Sequence, residues 1–295
     1  MTDIPRPRAY YSARKNGPQE ARFDLDDMRE ILFSAYAYLE GAGYFVDAFG
    51  YDCVDEGYVP GFVGGNIDVF VRMTLLKKDL WPLREKYQSY SEDDCFTMIE
   101  FLYDHVSKPG SKNFHDWNNC GYHYSEFDRD LGRKEFRSRF LVPLERYGEG
   151  WELTEAGEVM SLPPSGMTTL LTARPPTNDK TVLDRMMDAT SRFRRHGSTI
   201  KEREVAVRDL ADVLEWIKPH INMALMNKDS SDLYNIANQF GIRHLNQNQK
   251  LEYDKAVWLS WIFYHYLNTI NACLHIMKRQ GGNASPGIAA TKSRE

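Results

Sequence analysis

Apolar residues recur at helical spacing through much of the chain, and each such stretch carries its own start and stop signals. Asp24 precedes "LDDMREILFSAYAYLEGAG", where Met28, Ile31, Leu32, Ala35 and Leu39 share a face and Gly41 or Gly43 ends the pattern, which predicts a helix. Ser91 precedes "EDDCFTMIEFLYDHVSK", with Phe96, Ile99, Leu102, Tyr103 and Val106 on one face before Pro109, which predicts a second. A third, "SEFDRDLGRKEFRSRFLVPLERY", runs into "GEGWELTEAGEVMSL", where Thr154 to Gly157 reads as the turn of a hairpin between two short alternating strands. A helix followed by a hairpin is the ending of a winged-helix-like domain. Between the first two helices, "YFVDAFGYDCVDEGYVPGFVGG" mixes aromatics with glycines and reads as helical turns and loop.

The Pro-Pro pairs of "LPPSGMTTLLTARPPTNDK" mark a linker, and the pattern beyond it changes character. Four helical segments follow: "TVLDRMMDATSRFRRHG"; "TIKEREVAVRDLADVLEWIK", with Thr199 and Glu202 at capping-box spacing; "SSDLYNIANQFG"; and "YDKAVWLSWIFYHYLNTINACLHIMKR". The last is apolar nearly all round between Trp258 and Tyr266, which suits a central bundle helix or a dimer face. The expected fold is therefore mainly α. Residues 1–20 form an extended arm, 21–162 a helical, winged-helix-like domain with one β-hairpin, 163–179 the linker, 180–280 a helical bundle and 281–295 a disordered tail.

The charge balance narrows the partners. A net charge of −5 over 295 residues excludes a bulk nucleic-acid packager, so any nucleic-acid site must be a local basic patch. One candidate is "SRFRRHGSTIKER", where Arg192, Arg194, Arg195 and Lys201 surround an interhelical turn; they would bind backbone phosphates, or else form a solvated helix end whose cations stabilise the dipole. The other is "FGIRHLNQNQK". Gly241 suits a helix C-cap, and Arg243 or His244 could satisfy the last carbonyls. The run that follows offers more hydrogen-bonding capacity than a cap needs. It predicts an RNA-facing groove with His244 as the proton-transfer group, Arg243 and Lys250 as phosphate ligands and Asn246 orienting the imidazole.

The four cysteines, Cys53, Cys95, Cys120 and Cys273, form no CxxC pair, which fits reduced thiols in a cytoplasmic protein. In "FHDWNNCGYHYSEFD", His115, Cys120 and His123 could offer zinc three ligands, with a fourth to come from elsewhere. The loop is read instead as a turn at Asn118, Asn119 and Gly121 with Trp117, Tyr122 and Tyr124 packed inward, and neither metal nor another cofactor is expected. An exposed version of the same loop would stack bases. Walker, GxGxxG, GxSxG, HExxH and kinase signatures are all missing. The N-terminus lacks the apolar core of a signal peptide, and "AVWLSWIFYHYL" is too short for a membrane span.

The runs "DLYNIANQFGIRHLNQNQK" and "YDKAVWLSWIFYHYLNTINACLHIMK", with "FLYDHVSKP", "NNCGYHYSEFD" and "YGEGWELTEAGEV", resemble a family of bacterial proteins whose C-terminal halves are similar to the HEPN-type bundles of abortive-infection and other antiphage proteins. The resemblance spans about residues 25 to 279. It implies a HEPN-like bundle, homodimerisation, a defence-system partner protein and an RNA-directed effector, with metal-independent ribonuclease activity in many HEPN domains. Those ribonucleases carry Arg, four to six residues, then His, a spacing that occurs upstream of none of the eight histidines here; Arg243 adjoins His244, and Arg192 stands four before His196. The alternative expectation is a non-catalytic module that recognises a partner or DNA and dimerises through the bundle.

Overall fold

Helix α1 (Leu25–Gly41) starts where it does because Asp24 and Asp27 cap each other's backbone amides in a reciprocal box. The same device, Ser91 with Asp94, starts α3 (Glu92–His105). Asn66 caps α2 (Ile67–Leu75), and Asp128 caps α4 (Arg129–Arg146) through the Leu131 amide. These coordinates are a computed structural model that describes residues 10–16, 22–164, 166–172, 175–221 and 254–279. They divide into two units at Leu162 and Pro163.

In the first unit, Met28, Leu32 and Leu39 of α1, Ile99 and Leu102 of α3, and Phe136, Phe140 and Leu144 of α4 interlock without exposure. Each fully buried side chain of this kind stabilises the fold by about 1.5 to 3 kcal/mol. The described strands form four separate antiparallel pairs, of which the last adds Leu153 and Val159 to that core. These are β1 (Tyr51–Cys53) with β2 (Gly57–Val59), β3 (Lys108–Pro109) with β6 (Phe127–Asp128), β4 (Lys112–His115) with β5 (Gly121–Tyr124), and β7 (Trp151–Leu153) with β8 (Val159–Ser161). The expected hairpin is β7–β8. The others correct the expectation of one hairpin: strands of two to four residues are too short to show an alternating pattern against their glycine-rich surroundings.

His105 closes α3 inside an aromatic cage. Its ring centroid lies 4.2 Å from that of Phe101, 5.5 Å from Phe70, 5.8 Å from Phe49 and 5.9 Å from Phe62. Its Nδ1–H donates to the Phe101 carbonyl at 2.7 Å. Burial holds its pKa below the ordinary histidine value, with the Phe101 carbonyl and Asp104 opposing and Arg129 assisting. Below about pH 6.5 the unfolded chain therefore takes up a proton that the folded chain resists, so stability is full above that value and falls as the pH drops toward the folded pKa. The urea midpoint of the wild type should fall more steeply between pH 6.5 and 5 than that of His105→Phe; parallel slopes would contradict this account.

The second unit contains three long described helices, α5 (Lys180–Arg194), α6 (Ile200–Ile221) and α7 (Lys255–Arg279). Asp179 caps α5 by accepting from the Thr181 and Val182 amides, and the expected Thr199–Glu202 box starts α6. Val182, Met186, Ala189 and Phe193 of α5 meet Ala206, Val207, Leu210 and Leu214 of α6 and Ile262, Phe263 and Ile270 of α7. Phe193 and Phe263 stack at 4.0 Å and 7°. The segment "SSDLYNIANQFG" lies outside the described residues. Helix α7 is not buried all round: Val257, Trp258 and Trp261 form an exposed stripe beside the buried face. No described helix is long and apolar enough to cross a membrane.

Candidate functional site

The basic turn between α5 and α6 is less open than its composition suggests. Arg192 pairs with Asp209 of α6, and its carbonyl accepts from the Ser198 hydroxyl at 2.7 Å. Arg195 Nη2 lies 3.6 Å from Glu202 Oε1. Glu202 is held below the usual carboxylate range by hydrogen bonds from the Thr199 amide and hydroxyl, with Arg195 and Arg192 assisting. Arg194, in the last turn of α5, is 4% exposed, so its guanidinium is withdrawn from any surface phosphate. Of the four predicted phosphate ligands, Arg195 and Lys201 remain exposed. Arg243, His244, Asn246 and Lys250 lie outside the described residues.

A different site is built on the two hairpins of the first unit. Asn118, Asn119 and Gly121 all have positive φ, at 49°, 53° and 109°, and together reverse the chain between β4 and β5 as the polar turn predicted. The strand register then sorts the side chains. Lys112 pairs with Tyr124 and Phe114 with Tyr122, while Asn113 pairs with His123 and His115 with Gly121. Alternation places Lys112, Phe114, Tyr122 and Tyr124 on one face and His115 and His123 on the other.

The outward face is aromatic. Phe114 and Tyr122 pack edge to face at 5.0 Å, and Lys112 Nζ stands 4.0 Å from the Tyr122 ring centroid. Phe114 and Tyr122 are half exposed, and Trp117 at the turn is 70% exposed. This reverses the expectation that Trp117 and Tyr122 pack inward: the hairpin projects from the core, leaving no interior for them. Tyr124 is the exception, since its ring lies so close to Gly43 that a Cβ there would come within 2.6 Å of it. Four carboxylates, Asp52, Asp55, Glu56 and Asp116, belong to these two hairpins, against the single cation Lys112.

The inward face meets β1. His115 Nδ1 lies 3.8 Å from Cys53 Sγ, and His123 Nε2 lies 3.2 Å from Cys120 Sγ. The two imidazole centroids are 5.1 Å apart, and Tyr51 lies 4.7 Å from His123. The other ring nitrogen of His115, Nε2, is 3.1 Å from Asp55 Oδ2 in the β1–β2 turn. One donor atom from each of Cys53, His115, Cys120 and His123 lies within 4.8 Å of the other three. The sequence pattern contains three of these donors in one loop. The fourth, Cys53, is 62 residues before His115, and only the packing of one hairpin on the other reveals it.

Comparison with protein-family models, curated proteins and solved structures finds no match. The functional reading therefore rests on the residues themselves.

Proposed function

We propose that the protein acts by binding, as a non-catalytic recognition module, and that the outward face of β4–β5 engages a basic segment of a partner protein. The observation that carries this reading is one exposed aromatic surface, Phe114, Trp117 and Tyr122, on a pair of hairpins whose sequence holds four carboxylates and one lysine. Exposed aromatics, tryptophan above all, supply binding energy at protein interfaces. The net acidic balance of the two hairpins favours a basic partner: carboxylates repel a phosphate backbone, whereas Lys and Arg side chains pair with them and stack on exposed rings. A phage-defence setting, which the family resemblance implies, is compatible with such a module. The exposed stripe Val257, Trp258 and Trp261 on α7 is where we place homodimerisation, to be checked by light scattering of the wild type and Trp261→Arg.

The RNA-directed effector reading makes the opposite prediction about ligand charge. Labelled arginine-rich peptide and single-stranded RNA of equal length, titrated at physiological salt, separate the two. The peptide should bind, and Trp117→Ala should weaken it about tenfold or more, equivalent to about 1.4 kcal/mol. Tighter binding of the RNA, lost in the same variant and falling steeply with salt, would overturn the proposal in favour of base stacking.

A further inference from the structure

We propose that Cys53, His115, Cys120 and His123 bind one zinc ion, which ties hairpin β1–β2 to hairpin β4–β5. The inference is independent of what the outward face recognises. Two thiols and two imidazoles form a donor set that favours zinc over calcium or magnesium, which take oxygen ligands. Zinc to sulfur distances of about 2.3 Å and zinc to nitrogen distances of about 2.0 to 2.1 Å give a tetrahedron with edges of roughly 3.3 to 3.8 Å. The Cys53–His115 distance of 3.8 Å and the Cys120–His123 distance of 3.2 Å fall close to that range, and the limit of 4.8 Å over all four atoms suits a single ion. A two-iron cluster, whose ligands divide between two metals, would need a wider spread.

Two further observations point the same way. His115 presents Nδ1 to the cluster while Nε2 faces the Asp55 carboxylate at 3.1 Å. A carboxylate behind a ligating histidine fixes the ring and its tautomer, with Nε2–H donating to the carboxylate and Nδ1 left to bind metal. The second observation concerns stability. Strands β1, β2, β4 and β5 are three or four residues long, and none of their side chains belongs to the buried hydrophobic cluster, although Cys53 itself is only 6% exposed. Isolated two-stranded hairpins are marginal in water. A metal bound by both would hold them together where apolar packing does not, as in small metal-stapled domains.

With four protein ligands the coordination sphere is closed, so the ion would be structural and would leave no position for substrate. Binding displaces the thiol protons of Cys53 and Cys120, and the two thiolates balance the dication.

The test uses full-length protein purified from zinc-supplemented culture without chelator. Elemental analysis should find one zinc per chain, and exchange with cobalt should produce visible ligand-field bands together with near-ultraviolet thiolate-to-cobalt charge transfer. Cys120→Ser and His123→Ala should abolish stoichiometric zinc, whereas Cys273→Ser, in the bundle, should retain it. Asp55→Asn should keep the site but weaken it about tenfold or more. If the ligand variants fail to fold, alkylation of the wild type decides: Cys120 should be protected as purified and modified after chelation. Protein without zinc whose cobalt form lacks the thiolate band, wild-type zinc content in the ligand variants, or a Cys53–Cys120 disulfide in the mass spectrum would each overturn the assignment.

Discussion

Replacing Phe263 by alanine is expected to destabilise the helical bundle by about 3 to 5 kcal/mol, the range for truncating a buried phenylalanine in a packed core. The ring is fully buried, stacked on Phe193 at 4.0 Å and set edge to face with Tyr264 at 5.1 Å. Its loss leaves a cavity between α5, α6 and α7 that three long helices cannot close without moving their backbones. Aromatic pairing adds about 0.5 to 1.5 kcal/mol beyond the buried area, so Phe263→Leu should recover much of the volume but not the stacking. Small domains are commonly stable by about 5 to 15 kcal/mol, so the alanine variant should show a markedly lower urea midpoint or fail to accumulate. A loss under about 1 kcal/mol would mean that the bundle does not pack as described.

The second large effect is expected at Gly50, the residue that turns the chain into β1. Its φ of 80° and ψ of −166° lie in a region that side chains avoid, and an added Cβ would come within 2.1 Å of the Val59 carbonyl oxygen and 2.8 Å of the Gly61 amide. Backbone strain alone costs about 1 to 3 kcal/mol, and the collision is with backbone atoms of Val59 in β2 and of Pro60 and Gly61 just after it, which cannot swing aside. Gly50→Ala should therefore destabilise the first unit by about 3 kcal/mol or more and separate Cys53 from the β4–β5 donors. Gly57 supplies the control. Its φ is also positive, at 70°, but an added Cβ there meets nothing within 4 Å, so Gly57→Ala should cost about 1 to 2 kcal/mol. Equal losses at the two positions, by thermal melting, would contradict the close approach at Gly50.

Local signals made the helices legible. Asp24 with Asp27, Ser91 with Asp94, and Thr199 with Glu202 are capping pairs three residues apart, and the predicted starts coincide with the described ones because the hydrogen bonds involved are local. The described residues divide at Leu162 and Pro163, at the start of the proline-rich stretch. Position against a neighbouring element was not legible. Arg194 sits in a basic run that reads as surface, yet it is almost wholly buried in the last turn of α5. Trp117 and Tyr122 read as core because they are large and apolar, but a hairpin of two four-residue strands has one outward face, and no described residue buries it. For the thiol and imidazole cluster, periodicity conveys nothing about Cys53, whose partner lies in a hairpin on the far side of α2 and α3 in the chain. The RNA-directed site at Arg243, His244, Asn246 and Lys250 remains a proposal from the sequence pattern.

Zinc K-edge X-ray absorption of the purified, full-length protein reads the ligands of the proposed metal site. Coordination by Cys53, His115, Cys120 and His123 predicts a first shell of two sulfurs at about 2.3 Å and two imidazole nitrogens at about 2.0 to 2.1 Å, with the outer-shell scattering that imidazole rings produce. A shell made only of oxygen and nitrogen, or one of four sulfurs shared between molecules, would contradict it.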